Sequence, residues 1–300
     1  MVKQEKLIKR IWRSKVSYLF IFPYVAVFFV FTVLPVLISM VLSFTDFNVL
    51  EFPAFTGFAN YTRLLFNDKV FMTGVKNTLL LAAAIGPGGY LLSLMFAWFI
   101  NELTPKLRAF VTLVFYAPSI SGNVYLIWKV MFSSDDYGYI NSLFTRMSLI
   151  QKPVQWLQNP QYMVPIIITV SLWVSLGTGF LSFIAGFQGV DRSYYEAGAM
   201  DGVKNRWQEL WFITLPMIRP QMMFSAVMSI TAAFGVGGLI TELAGYPTSG
   251  YAAHTIMNHL TDYGTIRFEM GYASAIATLL FIVMIGSNLV IKRLISKVGA

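Results

Sequence analysis

Apolar side chains gather into six long runs, at 18–44, 73–100, 107–130, 162–187, 217–243 and 269–291. Each is longer than the ~20 residues an α-helix needs to cross a hydrocarbon core. Backbone N–H and C=O groups in lipid must pair within their own segment, so each run is expected as a transmembrane helix. The alternating ten-residue pattern of an outer-membrane barrel does not occur. Polar, turn-rich stretches at 46–72, 132–161 and 244–268 connect the runs on one side and are long enough to hold short helices. The pattern predicts an all-α, polytopic membrane protein with six transmembrane helices in one domain, 1–300, with 1–17 leading into the first span. Pro23 and Pro35 predict a kink in that span, which membrane helices tolerate.

Composition agrees. The chain is 56% hydrophobic and only 12% charged, with a mean hydropathy of +0.63. That charge is about half the share of a soluble domain. Cysteine is absent, so a disulfide framework and a thiolate metal site are excluded. The net charge of +8 has a topological reading. Lys3, Lys6, Lys9, Arg10, Arg13 and Lys15 precede the first run, Lys106 and Arg108 follow the second, and Lys292, Arg293 and Lys297 follow the sixth. Arg192, Lys204, Arg206 and Arg219 lie around the link between the fourth and fifth. In a six-span chain all of these fall on one side, which predicts two cytoplasmic termini and gives no reason to invoke nucleic acid. The first run is too long for a signal-peptide core and lacks a small-residue cleavage site, so it reads as a retained span.

Several kinds of chemistry are missing. No Gly-Lys pair exists, so there is no G-x-x-x-x-G-K-[ST] loop to cradle nucleotide phosphates. No ionisable residue falls near the middle of a run, whereas proton-driven transporters place such groups there. His254 and His259 are the only histidines; five apart and without an acidic cluster in sequence, they are expected as solvated loop residues rather than metal ligands. No hydrolase constellation is found. Gly235, Gly237 and Gly238 do not form G-x-G-x-x-G and are expected to serve close packing or a local opening of the helix. Asn60-Tyr61-Thr62 is a glycosylation sequon read as coincidental.

The link 188–216 is the most informative stretch. Its sequence predicts two short helices with a turn at Gly202. Ser193 with Glu196 three residues on fits a capping box. Ala197, Gly198 and Ala199 allow close approach of another surface, and Trp207, Leu210, Trp211 and Ile213 predict an amphipathic face on the second helix. Such a loop is built to dock.

Glu196-Ala197-Gly198, then Asp201-Gly202, then Ile213-Thr214-Leu215-Pro216 resembles the EAA coupling motif of ATP-binding-cassette importer permeases. Ser43-Phe44-Thr45-Asp46, Gly57 to Tyr61, Asn77-Thr78, Trp128-Lys129, Tyr137-Gly138, Trp156-Leu157 and Gly271 to Ala277 extend the resemblance over nearly the whole chain. It is similar to the first of two permeases in maltose-, lactose- and glycerol-phosphate-type uptake systems. Two departures stand out. Gly198 replaces the commoner alanine, and the stretch from Gly202 to Ile213 is one residue longer than the pattern.

The resemblance implies a type I importer permease fold in the bacterial inner membrane. Glu196, Ala197, Gly198, Asp201, Gly202, Leu215 and Pro216 would couple to a separate ATPase. The implied partners are a second homologous permease, two ATPase subunits, an extracytoplasmic sugar-binding protein, a carbohydrate and membrane lipid. The chain would bind no cofactor or metal and catalyse nothing, ATP and Mg being used by the ATPase.

A sugar needs hydrogen-bonding groups and flat apolar faces. Trp173, Ser175 and Thr178 on the fourth run, with Ser229, Thr231, Phe234 and Gly235 on the fifth, are candidates for the substrate pathway. Asparagines that the resemblance leads one to expect near 234–236 are absent, and the alternative is that these side chains pack helices. The competing function is a stand-alone secondary transporter or channel for a small polar solute. Mid-membrane charges or symmetric broken helices would mark it, and the sequence pattern predicts neither.

Overall fold

The structure, a computed structural model, describes residues 15–296; Lys3 to Arg13 and Lys297, used above for orientation, lie outside the described residues. The principal helices are α1 (Lys15–Leu42), α2 (Lys69–Asn101), α3 (Pro105–Ile120), α4 (Val124–Met131), α5 (Tyr139–Arg146) and α6 (Pro160–Val174). They continue with α7 (Thr178–Gln188), α8 (Arg192–Met200), α9 (Arg219–Phe234), α10 (Gly237–Ala244), α11 (Ile256–Thr261) and α12 (Met270–Ile295). No strand is found among the described residues; the one isolated bridge joins Thr45 and Phe55.

By length and hydropathy α1, α2 and α12 each suffice to cross a membrane. The other three apolar runs are not single straight helices. α3 and α4 meet at 82°, α6 and α7 at 42°, and α9 and α10 at 44°. The breaks fall at Ser121-Gly122-Asn123, Ser175-Leu176-Gly177 and Gly235-Val236. This corrects the expectation of single helices for 107–130 and 162–187, whereas the break at Gly235-Val236 agrees with the local opening expected there. Each break contains a glycine, Gly122, Gly177 or Gly235, whose missing side chain lowers the resistance to a turn, and Pro118 lies three residues before the sharpest of them. Pro23, Pro87 and Pro165 lie inside helices that do not break. Pro35 acts differently: a π-helical turn, Phe29–Val33, precedes it, and the Leu34 N–H bonds back to Phe29 O. This extra residue per turn accommodates a proline ring that would otherwise crowd the preceding carbonyls.

α2, α7 and α9 form the central block, each packed along the other two. Small residues set the spacing. A Cβ at Gly89 would lie 2.8 Å from Ser175 Oγ, and one at Gly179 would lie 2.7 Å from Ser225 Oγ. Phe180, Phe183, Ala97, Ile100, Met222 and Ala226 fill the interior between them. α6 lies against α2, and α12 packs on α9 and on Leu34–Leu42 of α1. No side chain of Lys15–Phe28 is buried, so the first half of α1 stands clear of its own bundle.

The loop after α1 is pinned to the start of α12. Gly271 N donates to Phe47 O. The Asn60 amide donates to Ser43 O and Thr45 O at 3.0 and 2.7 Å, so the sequon asparagine has a structural task. The expected short helices in the loops are present as α5, α11 and the turn Ala59–Thr62.

The histidine expectation is overturned. His254 and His259 are 1% and 2% exposed. His254 Nε2 lies 3.1 Å from His259 Nδ1, and His259 Nε2 lies 3.0 Å from Asp68 Oδ2. The Tyr272 hydroxyl donates to the same carboxylate oxygen at 2.8 Å, and the other oxygen of Asp68 caps α2 by accepting from Phe71 N. Residues 191 positions apart thus form one buried chain, which sequence spacing does not reveal. Burial, then repulsion from His259, pushes His254 down to about 4. Burial also lowers His259, although Asp68 and Asp262 pull the other way and Arg267 adds to the fall. Burial opposes ionisation of Asp68, but the bonds from Phe71, Tyr272 and His259 outweigh it and hold the carboxyl below its usual range. Among the described residues no group of three His, Asp or Glu is placed to hold a metal.

Two predictions follow from this packing. Both imidazoles are harder to protonate in the folded chain than in the unfolded one, whose value is the ordinary 6.5, so the unfolded chain binds more protons below that pH. Stability is therefore expected to be constant above pH 6.5 and to fall as pH drops below it; a melting temperature of the purified protein unchanged between pH 7.5 and 5 would contradict the buried pair. A Cβ at Gly271 would run into the Thr45 carbonyl oxygen, a backbone atom. Gly271→Ala is expected to destabilise by about 1–3 kcal/mol, whereas Gly286→Ala, with nothing within 4 Å, should be neutral or stabilising by up to about 1 kcal/mol. Thermal unfolding of the two variants in detergent tests the contrast.

Candidate functional site

The link between α7 and α9 folds as two helical pieces around Gly202, whose φ of +92° is the left-handed value that glycine adopts without strain. α8 starts at Asp191, not Ser193. The Asp191 carboxylate accepts from Ser193 N at 2.9 Å, and bonds from Ser193 hold this carboxyl below its usual range. Ser193 lies inside the helix, so the predicted Ser193–Glu196 capping box does not form. An aspartate two residues upstream of the serine is as good a cap and was the signal to weigh. At the other end Val203 N donates to Gly198 O and Gly202 N to Ala199 O, closing α8 in a glycine turn.

A second start follows at once. Asn205 accepts from Gln208 N, and Gln208 Oε1 accepts from Lys204 N. The helical turn Arg206–Glu209 runs into a π-helical turn, Leu210–Thr214, and a last turn, Leu215–Met217. The predicted amphipathic face is only half right. Leu210 is buried, but Trp207 and Trp211 are 61% and 62% exposed; Thr214 and Leu215 take the inner positions instead. The π turn shifts the register by one residue, which a 3.6-residue reading does not anticipate.

α8 is attached to this second piece by its inner face. The Tyr195 hydroxyl and Thr214 Oγ1 lie 2.9 Å apart. Gly198 is buried, and the end of the Ile213 side chain occupies the space a Cβ would take. That contact explains the glycine at the third motif position. Glu196, Ala197, Asp201 and Gly202 are exposed, whereas Leu215 is buried and Pro216 half-buried. The motif therefore divides into an outward face and an anchoring face.

A cavity of about 800 Å³ opens between α8 and the end of α2, lined by Glu102, Arg108, Arg192, Glu196, Arg206 and Glu209 among others. Arg206 reaches Glu102 and Glu209, both at 2.9 Å, and Trp98 meets Trp207 with ring centres 4.7 Å apart. Trp98 and Glu102 carry no motif, and only the fold brings them to α8.

The seven pathway candidates do not converge on one site. Trp173 meets the edge of Trp128 at 5.3 Å. The Ser175 hydroxyl donates to Leu172 O at 2.6 Å and packs on Gly89. Ser229 and Phe234 line an apolar cavity of about 450 Å³ with Tyr90 and Ser287, between α2, α9 and α12. Thr178, Thr231 and Gly235 are exposed. Thr231 Oγ1 donates to Val227 O, and Val227, Thr231 and Gly235 are four apart and share an open face of α9. Gly237 packs closely, its Cβ position being 2.9 Å from Met257 Cβ.

Residues 89–299 match the family described as "Binding-protein-dependent transport system inner membrane component". The chain is 33% identical over 277 residues to the probable ABC transporter permease protein YesP of Bacillus subtilis (strain 168), covering 89% of this chain and 86% of YesP. It is 32% identical over 278 residues to the lactose transport system permease protein LacF of Rhizobium radiobacter, covering 90% and 89%. A chain in the crystal structure of a bacterial alginate ABC transporter, in complex with alginate pentasaccharide-bound periplasmic protein, superposes with a TM-score of 0.78 at 26% identity, covering 99% of this chain and 100% of that one. A matched family model over most of the chain, relatives of full length and a shared all-helical architecture place this protein: it belongs to the binding-protein-dependent transport system inner membrane components, and is a multi-pass ABC permease with the type I fold rather than an enzyme.

Proposed function

We propose that this chain is one half of the translocation pathway of an ATP-driven carbohydrate importer, paired with a second homologous permease and driven by two separate ATPase subunits. Carbohydrate is inferred from the relatives: LacF is named for lactose, and the solved neighbour carries alginate. An extracytoplasmic binding protein would deliver the sugar, both termini would be cytoplasmic, and ATP and Mg would bind only to the ATPase. The observation that carries the reading is the two-faced coupling loop. α8 turns Glu196 and Ala197 to solvent while Tyr195 and Gly198 hold it to the chain behind. A nine-residue helix is too short to be stable alone, so tethering from behind leaves a pre-formed surface for a partner. ATP binding to that partner would supply the free-energy difference between two packings of the permease pair.

The open face of Val227, Thr231 and Gly235 is the surface we assign to the second permease, with Thr178, Trp173 and Ser175 near the neighbouring bend and Ser229 and Phe234 behind. Three bent spans are also the pattern that would favour a stand-alone secondary transporter, so the test must separate the two. The tagged chain is purified from detergent-solubilised native membrane and its companions identified by mass spectrometry. A second permease and a nucleotide-binding ATPase are expected; the chain recovered alone, and transporting without ATP, would make it a secondary transporter. Glu196→Lys is expected to leave the chain at its native level while lowering the co-purified ATPase by roughly tenfold or more, as reversal of an interfacial charge does. Gly198→Ala needs only the tip of Ile213 to turn aside, at about 1 kcal/mol, and should leave ATPase recovery unchanged.

A further inference from the structure

We propose that Glu102 and Arg206 form a clasp that delivers movement of α8 to α2. The proposal rests on the coupling role given to α8 above. α8 has a direct route to α9: the chain itself runs on through Leu210–Thr214, Tyr195 meets Thr214 and Gly198 meets Ile213. α2 has no such covalent route, being about a hundred residues earlier in sequence. It is nonetheless the helix on which both α7 and α9 rest. A loop that pulled only on α9 would shear it against α2.

The structure supplies a second attachment. Arg206 Nη2 lies 2.9 Å from Glu102 Oε2, while its Nη1 lies 2.9 Å from Glu209 Oε2. Glu209 thus holds the guanidinium in place, and the remaining arm of the planar fork faces α2. Glu102 terminates α2. The same end is held by Arg108, whose Nη2 donates to Asn101 O and Leu103 O, so a force on Glu102 meets a fixed helix terminus and not a frayed one. Beside the ion pair, Trp98 on α2 contacts Trp207, the neighbour of Arg206. Arg206 and Glu102 are largely exposed, and exposed pairs contribute little to folding stability. Their position between two elements that must move together is what distinguishes them from an ordinary surface pair.

The absence of cysteine allows single labels. Bimane is attached at Thr73→Cys, exposed in the first turns of α2, or at Thr241→Cys, exposed on α10 beyond α9. The importer, purified with its own partner subunits and placed in nanodiscs, is compared with and without ATP and vanadate. Both labels are expected to respond in the otherwise native chain. Glu102→Arg should at least halve the α2 response, and Glu102→Arg with Trp207→Ala should abolish it, while the α10 response and ATP hydrolysis persist. Glu102→Asp should keep the α2 response. An α2 response unaffected by Glu102→Arg, an equal loss at both labels, or an α2 label silent in the native chain while α10 responds would each overturn the clasp. Silence of both labels in the native chain would instead remove the coupling role of α8 on which it stands.

Discussion

Helices in a bilayer gain nothing by hiding hydrocarbon from hydrocarbon, so their association depends on how closely backbones can approach. In this chain two contacts set that approach: Gly89 of α2 on Ser175, in the bend that leads from α6 into α7, and Gly179 of α7 on Ser225 of α9. Neither contact has room for a Cβ. The aromatic residues of the block, Phe180 and Phe183, fill the space that remains and are fully buried. A block held this way has few intermediate arrangements, because small shifts open gaps that no side chain is long enough to refill. Packing of this kind seats the helices without bonding them to one another, so a change of packing depends on how each helix is attached, as α2 is through Glu102 and Arg206.

The loop that carries α8 is built into that block. α8 would be unstable in isolation, and its start, end and inner face are each fixed by a different device: the Asp191 carboxylate, the left-handed Gly202 and the Tyr195–Thr214 contact. Leu210 and Leu215 then join the apolar cluster that contains Phe180, Phe183 and Met222. The loop is therefore not an appendage; its buried side is part of the same packed interior, and displacement of its outer side is felt there. At the opposite end of the block, Asp68, His259, His254 and Tyr272 join the start of α2 to the loop before α12 and to α12 itself. Charge is confined to the two ends and the middle is apolar and small, an economical division for a protein whose centre lies in lipid.

Much of this was legible in the sequence, for reasons particular residues make clear. The six apolar runs follow from lipid as solvent, and the Gly202 turn from the conformation only glycine takes freely. Features that depend on which helices become neighbours were not legible. His254 and His259 read as loop residues because their acidic partner, Asp68, is far away in sequence. Ser193 with Glu196 matches the capping-box spacing, but Asp191, two residues upstream, accepts the bond from Ser193 N and draws Ser193 into the helix. Thr214 and Leu215 do not read as inner residues because the π turn Leu210–Thr214 moves the positions after it around the helix; Trp207 precedes that turn and lies instead against Trp98, a neighbour only the fold supplies. The opening at Gly235 was legible from its glycines, whereas the bends at 121–123 and 175–177 were not, because a single glycine in an apolar run does not by itself mark a break.

Those bends also bear on where a sugar would pass. A hydroxyl near a helix break commonly turns back to bond its own chain. Ser175 does so to Leu172 O and Thr231 to Val227 O, which engages their donors and leaves only lone pairs to offer. Ser229 faces an apolar cavity lined by Ala82, Ala83 and Ala233, a poor setting for a sugar hydroxyl. Thr178 and Gly235 differ, each lying exposed beside a bend, with backbone groups at Gly177 and Val236 in transition between two helix directions. A site assembled there from one chain would be open on one side. On the reading proposed above, the second permease would close that side, and this chain would contribute backbone and the Thr178 hydroxyl at the bends more than a ring of specific side chains.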